Sequence, residues 1–238
     1  PYAYIVCGGG IVLFILFVHF ELKFSNPVLP LLLFQNNKSF LFSNIAAVIN
    51  YASTYAISFI LSLYLQYVKG LSPREAGIIM VTQPIMMVLV SGLAGKLSDT
   101  YPARTLASLG LSIIIIGLVM LSFISIDSHI FYIIVSLFLV GLGFGFFSTP
   151  NTNAIMSSVE KQHLGLASAM AGTMRIMGQM FSMAMAAMII NMVMNNAVIT
   201  SENSGLFVTC ARYIFIVCSL LSLLAIFASM QRGRLSKI

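Results

Sequence analysis

The chain has 238 residues, and only 18 of them carry a formal charge, 12 as Lys or Arg and 6 as Asp or Glu. A soluble domain of this length would carry roughly 60 charged residues. Hydrophobic residues make up 59% of the sequence and the mean hydropathy is +1.01. These values exclude a disordered chain, a nucleic-acid binder with a solvated basic face and an ordinary water-soluble domain. We therefore expect a protein surrounded by lipid, whose net charge of +6 reflects Lys and Arg gathered on one membrane face.

The spacing of the charged residues predicts the membrane-crossing helices. A helix that spans about 30 Å of hydrocarbon needs about 20 apolar residues, because each residue advances about 1.5 Å. Seven stretches without Asp, Glu, Lys or Arg can each hold such a helix. We predict an all-α membrane protein with seven transmembrane helices. In chain order, these cover residues 3–20, 44–66, 76–95, 105–125, 130–150, 165–192 and 208–229.

The first predicted helix is separated from the other six by one long connection. This connection is too short and too broken by Pro27 and Pro30 to span the bilayer, so we expect it to lie on the membrane surface. The six later helices divide into three plus three. Because three is an odd number of crossings, the second triplet enters from the opposite side, as in inverted-repeat transporters. The expected units are a linker helix at 1–20, the connection at 21–43, a six-helix half at 44–230 and a tail at 231–238.

Lysine and arginine are distributed unequally between the two sets of loops. One set holds eight of them, whereas the other holds only Lys69 and Arg74. Since cytoplasmic loops carry the excess of Lys and Arg, we expect a cytoplasmic C-terminus and, with seven crossings, an external Pro1. A further helix is then expected before Pro1. The eight are Lys23, Lys38, Lys96, Arg104, Lys161, Arg232, Arg234 and Lys237.

A stripe of polar and aromatic side chains follows the helix predicted at 44–66. Its members recur at steps of 4, 3, 4 and 4 residues, which is the spacing of one helix face. Hydroxylated rings suit large, weakly polar, cationic ligands through stacking and cation–π contact. Two interpretations stay open: a substrate cavity, or hydrogen bonds between helices worth about 0.6 kcal/mol each. The stripe consists of Tyr51, Tyr55, Ser58, Ser62 and Gln66.

Other polar residues inside apolar segments are weaker candidates for the same cavity. Gln83, next to Pro84, lies on the third predicted helix. Arg175 and Gln179 lie on the sixth, where an ionisable side chain suggests a functional role. That helix is longer than a bilayer requires, so we place Arg175 near the inner mouth of the cavity rather than at its centre. The methionines of the same helix suit either a polyspecific pocket or a lipid-facing surface equally well.

Asp99 lies in the loop expected after the third predicted helix. A carboxylate there can sit against the positive N-terminal end of a neighbouring helix, worth about 0.3 to 1 kcal/mol, and so hold one conformation closed. The alternative is that Asp99 and Arg104 only solvate the loop. We call Gly95, Asp99 and Arg104 the candidate latch.

The sequence around this latch resembles a conserved cytoplasmic loop of the major facilitator superfamily. Gly95, Leu97, Asp99 and Arg104 fit its pattern, whereas Thr100 and Pro102 stand where arginine and glycine are usual. Further stretches are similar to the fourteen-helix drug:proton antiporter branch of this family. They are residues 26–34, Tyr64 to Gly77, Gly141 to Gly145 with Pro150 and Asn151, and Gly165 to Gly178.

This resemblance implies that the last six predicted helices are the C-terminal half of a multidrug exporter working by alternating access. The first helix would then be the second of two extra helices that join the halves. The resemblance also places the polar-aromatic stripe beside the central pathway and puts the partner of Asp99 in an N-terminal half that this chain does not contain. As partners we expect hydrophobic substrates, cationic ones among them, a lipid bilayer and that other half, and no nucleic acid. The expected location is the cell membrane.

Three glycines at 141, 143 and 145 superficially suggest a dinucleotide-binding loop. No soluble βαβ unit surrounds them, so we expect Gly141, Gly143 and Gly145 to permit close helix packing, with Pro150 adding a bend.

No enzyme chemistry, metal or cofactor is expected, because no cluster of nucleophiles, acids or metal ligands occurs at one depth. A seven-helix receptor or sensor and a non-transporting fragment remain as alternatives. None of the six acidic residues lies within a predicted helix, although proton coupling usually requires a titrating group there. We therefore expect the proton-coupling group to lie in the other half, and this chain to be inactive alone.

Overall fold

The structure is a computed structural model that describes residues 9, 10, 12, 13, 16, 19, 20, 37–195, 200 and 203–231. The described positions before residue 21 are all helical. The rest of the helix predicted at 3–20, residues 21–36 of the connection, and residues 232–238 of the tail lie outside the described residues.

Six helical segments within the described residues are long and apolar enough to cross a membrane. This result confirms the predicted all-α membrane architecture, and the described residues contain no strand. The connection between the fourth and fifth of these spans also contains a 3₁₀ turn at Lys161–His163. In chain order the helices are α1 (Lys38–Leu63, continued by a π-helical turn at Tyr64–Val68), α2 (Pro73–Met80), α3 (Thr82–Thr100), α4 (Ala103–Ser122), α5 (Ile130–Ser157), α6 (Leu164–Met194) and α7 (Ser204–Met230).

Most helices extend further than the charge-free stretches predicted, although the helix predicted at 105–125 already ends at Ser122. Helix α1 begins at Lys38, where the side chain of Asn37 accepts a hydrogen bond from the Phe40 amide. Helix α3 continues through Lys96 to Thr100, so the expected loop around Asp99 is helical and only two residues separate α3 from α4. The reason is physical: a charged side chain near a membrane surface can reach water, so it does not need to end the helix.

The second span is divided at Val81. Helix α2 starts with Pro73 in its first turn and with reciprocal capping between Ser72 and Glu75. The break precedes Pro84, whose missing amide hydrogen cannot bond to the carbonyl of Met80. The single helix predicted at 76–95 is therefore two helices in one span. Pro150, by contrast, lies inside α5 without interrupting it.

The six spans form two triplets, and one helix of each triplet packs mainly against helices of the other. We call this arrangement exchanged triplets. The first triplet comprises α1, the α2–α3 span and α4, and the second comprises α5, α6 and α7. Helix α1 packs against α6 and α7 of the second triplet, and α5 packs in the same way against α3 and α4 of the first. Helices α4 and α7 pack against each other. This reciprocal pattern is the one expected from a three-plus-three inverted repeat.

Glycines bring α5 close to two neighbours at once. A Cβ on Gly143 would lie 2.5 Å from the carbonyl oxygen of Gly110 on α4, and one on Gly145 would lie 3.1 Å from that of Met87 on α3. A Cβ on Gly141 would collide with the carbonyl oxygen of Gln83. Residues 141 and 145 are one turn apart and therefore share a face, whereas 143 points to the other side. The glycine pattern thus lets backbones approach on opposite sides of α5.

Three consecutive carbonyl groups tie the loop between α4 and α5 to α7 and to the C-terminal end of α1. Arg212 Nε of α7 donates to the carbonyl of Ile124 at 2.6 Å. The Tyr64 hydroxyl donates to that of Ser125 at 2.6 Å, and Lys69 Nζ donates to that of Ile126 at 2.5 Å. We call residues 123–129 the tied loop. It lies at the end of the bundle where α1 finishes, which we call the Lys69 end, opposite the Lys38 end.

Candidate functional site

The polar-aromatic stripe occupies the open face of α1. Tyr55 is 45% exposed and Ser58 is also exposed, whereas Ser62 and Gln66 are half-buried. Gln66 Nε2 donates to Ser62 Oγ at 2.9 Å. The opposite face of α1 is packed inside the bundle, so these side chains face away from its core. They form a ladder that runs from the middle of α1 to the Lys69 end.

Tyr51, the first member of the stripe along the chain, packs against an aromatic residue of α5. Its ring meets that of Phe144 edge to face, with centroids 5.6 Å apart and an interplanar angle of 65°. Such pairs contribute about 0.5 to 1.5 kcal/mol beyond simple burial. Phe144 was not predicted as a site residue, because its partner lies on a helix more than ninety positions away and no local pattern marks it.

Helix α6 meets α1 at the same level. A Cβ on Gly178 would lie 2.5 Å from the carbonyl oxygen of Val48 and 2.7 Å from Cβ of Tyr51. Four residues beyond Gly178 on α6, Ser182 Oγ accepts a hydrogen bond at 2.9 Å from the amide of Ala56, which lies five residues beyond Tyr51 on α1. The two helices therefore run parallel in fixed register, and α6 reaches its closest approach to α1 beside Tyr51.

This register positions the two predicted polar residues of α6. Gln179 adjoins Gly178 and is half-buried, and Arg175 is exposed about one turn nearer the Lys38 end. Arg175 follows the start of α6 by 11 residues, or roughly 16 Å of helix. Helix α6 has 31 residues, about 46 Å, and so exceeds the hydrocarbon thickness. Gln179 thus lies beside the contact between Gly178 and Tyr51, and Arg175 lies about one turn away along α6.

We call Tyr51, Tyr55, Phe144, Arg175 and Gln179, together with Gln83, the belt. Gln83 is placed on a different helix from the other polar members. Its side chain is half-buried on α3, and its backbone contacts Gly141 of α5, one turn from Phe144. Pro84 beside it is exposed. The structure therefore brings α1, α5 and α6 together beside Tyr51, and α3 joins this region through its contact with α5, whereas Ser62 and Gln66 lie further out.

The candidate latch lies at the Lys38 end, where α3 and α5 contact each other. Ser98 Oγ accepts a hydrogen bond from Asn153 Nδ2 at 2.9 Å, and a Cβ on Gly95 would lie 3.6 Å from Thr149. Asp99, in the last turn of α3, is exposed. A carboxylate at the negative end of its own helix is unfavourable unless another positive group meets it.

Arg104, the third latch residue, is half-buried in the first turn of α4. The latch residues are therefore split between the end of one helix and the start of the next. Sequence reasoning did not identify Asn153, although an amide near a helix end is a common tertiary hydrogen-bond donor.

The described residues contain no group of three or more His, Cys, Asp or Glu side chains that could hold a metal ion. Cys210 and Cys218 are free and buried. The belt instead offers phenol rings, a phenylalanine, amides and one guanidinium. These groups can bind an aromatic, partly polar molecule by stacking and hydrogen bonding, without covalent chemistry.

A bundle of apolar spans with exchanged triplets and an open polar-aromatic face defines a multi-pass membrane protein of the transporter class. Residues 44–233 match the sequence profile of the Major Facilitator Superfamily. The chain belongs to this family.

Curated relatives include proteins of several bacteria. The riboflavin transporter RibZ of Clostridioides difficile (strain 630) is 36% identical over 166 residues, which cover 70% of this chain and 36% of the relative. The multidrug resistance protein Stp of Mycobacterium tuberculosis (strain ATCC 25618 / H37Rv) is 30% identical over 163 residues, covering 68% and 30%. The quinolone resistance protein NorB of Staphylococcus aureus (strain MRSA252) is 24% identical over 195 residues, covering 78% and 40%. The chain thus spans less than half the length of these relatives.

Proposed function

We propose that this chain is the C-terminal half of a multidrug exporter that works by alternating access. The observation that carries the proposal is the belt around Tyr51, where aromatic and amide groups from three spans, α1, α5 and α6, meet beside the exposed face of α1. In the complete transporter the belt would line one wall of a central pathway, and residues 1–20 would form the second of two helices that link the halves.

The uneven burial of the spans supports a missing partner half. Within the most apolar 18 residues of each span, 11% of the residues are buried in the α2–α3 span and 17% in α6. In the other four spans, 33% to 56% of these residues are buried. Both weakly buried spans are the middle members of their triplets. A second six-helix half docked against these two would cover them and could also supply a positive group for Asp99, which forms no ion pair with any described residue.

For the substrate, we propose aromatic, weakly polar and cationic drugs. The relatives named for multidrug and quinolone resistance favour this class, as do the Tyr51 and Tyr55 rings. A second candidate is riboflavin, because one relative at 36% identity is named as its transporter. Riboflavin is also a flat aromatic with polar edges, so stacking and amide contacts suit it.

For the driving force, we propose exchange with protons through a group in the other half. Among the described residues, the carboxylates that lie within a membrane span are Glu75 in the first turn of α2 and Asp99 in the last turn of α3, at its two ends. Neither is placed to carry a proton between the two sides. The chain alone should therefore neither exchange protons nor transport.

The test uses proteoliposomes that contain this chain alone, and the same chain joined to the N-terminal helices of RibZ. Uptake of a fluorescent quinolone and of riboflavin is measured with and without a pH gradient. The chain alone should give no uptake and no substrate-dependent pH change. Drug-dependent pH change by the chain alone would contradict the half-transporter proposal. In the joined protein, uptake of riboflavin without uptake of the quinolone would favour the second candidate.

A further inference from the structure

Arg212 is a cation on the exposed face of a membrane span. It follows the start of α7 by eight residues and is exposed. Its Nε donates to the Ile124 carbonyl at 2.6 Å, and within the described part of the chain this is its one hydrogen bond, with no ion pair beside it. The carbonyl therefore restrains the guanidinium plane, whereas both Nη groups have no partner among the described residues.

The depth of Arg212 in the bilayer follows from its register against α1. Helices α1 and α7 are antiparallel, and Ser222 of α7 donates to Ser53 of α1 at 2.9 Å. Arg212, ten residues before Ser222, therefore lies level with Leu63. The α1 span ends five residues later at Val68 and has 31 residues, or about 46 Å, so it exceeds about 30 Å of hydrocarbon by about 8 Å at each end. Since five residues also advance about 8 Å, Arg212 lies where hydrocarbon meets the headgroups.

The surroundings of Arg212 suit this boundary. Two aromatic residues beside its contact with the tied loop are exposed, Tyr213 at 51% and Phe123 at 71%, and aromatic rings favour the region between hydrocarbon and water. A second cation lies at the same loop, because Lys69 Nζ donates to another of its carbonyl groups. Asp127 is the only acidic residue of the tied loop, so the two cations leave a positive charge at this surface.

Phosphate is the anion that fits these groups. The Nη hydrogens of a guanidinium form parallel, charge-assisted hydrogen bonds with phosphate oxygens. A cation beside hydrocarbon is costly until an anion meets it, and phosphate groups are the anions that phospholipids hold at this depth. The second half invoked above docks against α6 and the α2–α3 span, and so leaves the exposed face of α7 to lipid.

We propose that Arg212 binds the phosphodiester of a phospholipid headgroup in the leaflet at the Lys69 end. Both Nη groups donate to phosphate oxygens while Nε keeps its bond to the Ile124 carbonyl, and the Tyr213 and Phe123 rings border the lipid below its headgroup. Because the same side chain holds the tied loop, Arg212 joins the lipid to the connection between α4 and α5. This binding does not depend on transport.

The experiment measures ¹⁵N–³¹P dipolar dephasing at arginine side chains by solid-state NMR. The full chain is labelled with ¹⁵N-arginine and reconstituted in a galactolipid bilayer that contains phosphatidylglycerol, so that the phospholipid carries the only phosphorus. Arg212→Lys and Arg74→Lys each remove one signal and so assign it, and both keep the positive charge. We expect strong dephasing at the Nη signals of Arg212, and severalfold weaker dephasing at those of Arg74.

Arg74 is the matched control, because it is an exposed arginine at the same end of the bundle and forms no hydrogen bond or ion pair among the described residues that would fix its guanidinium. Equal dephasing at both arginines would show general attraction to the surface and overturn the proposal, as would its absence at Arg212. A second arm uses galactolipid alone with millimolar inorganic phosphate, and dephasing at Arg212 should then disappear. Dephasing of equal strength in that arm would identify free phosphate as the ligand and overturn the assignment to lipid.

Discussion

Single glycines determine how closely α1 and α6 approach, and two of them on α6 allow a controlled comparison. A Cβ on Gly178 would lie 2.5 Å from the backbone of α1, whereas one on Gly172 would have nothing within 4 Å. We expect Gly178→Ala to lower the free energy of unfolding by about 1 to 3 kcal/mol through overpacking.

Gly172→Ala should raise that free energy by about 0.5 to 1 kcal/mol, because alanine favours the helix. A thiol-reactive dye that follows exposure of the buried Cys210 and Cys218 reports unfolding in detergent for both variants. Equal melting temperatures for the two would mean that the contact at Gly178 is not close.

The glycines show what the sequence could and could not predict at residue scale. The position of Gly141, Gly143 and Gly145 within one apolar stretch predicted close packing, because glycine inside a lipid-spanning helix has few other uses. Which helix each one meets depends on register across more than a hundred residues, as with Gly178 and Val48. The Tyr51–Phe144 contact was out of reach for the same reason.

At the scale of elements, the spans were predictable because lipid imposes one length and one composition on every crossing helix. Their ends were predicted less well, as α3 shows by including Asp99. The division at Val81 was not foreseen, although Pro84 was singled out. A charge-free stretch gives the length of a span but does not reveal where its hydrogen-bond ladder is interrupted.

The tied loop gives a prediction at this scale. Replacing Arg212 with methionine removes the donor to the Ile124 carbonyl and should expose the backbone of residues 123–129. We expect hydrogen–deuterium exchange in the tied loop to rise by about tenfold, as loss of a charged hydrogen bond worth about 1.5 kcal/mol implies.

Arg74→Met is the control, because Arg74 is an exposed cation at the same end of the bundle. It should leave exchange in the tied loop unchanged. An equal response to both substitutions would point to a general effect of charge rather than to the Arg212 contact.

For the whole molecule, the distribution of basic residues predicts orientation. The loop containing Asp127 should face outward and the one containing Lys161 should face the cytoplasm. With the native cysteines replaced by serine, a membrane-impermeant maleimide should label Asp127→Cys in intact cells and Lys161→Cys only after permeabilisation. Labelling of both positions in intact cells would contradict the proposed topology.

The exchanged triplets also constrain how the protein is made. Helices of the first triplet contact one another sparsely and find their main neighbours only in α5, α6 and α7. During synthesis, the ribosome delivers α1 to α4 before those neighbours exist. The early helices must therefore remain in the bilayer as separate helices until α5, α6 and α7 leave the translocation machinery. A nascent chain halted at the tied loop would be a natural substrate for membrane proteases and insertion chaperones.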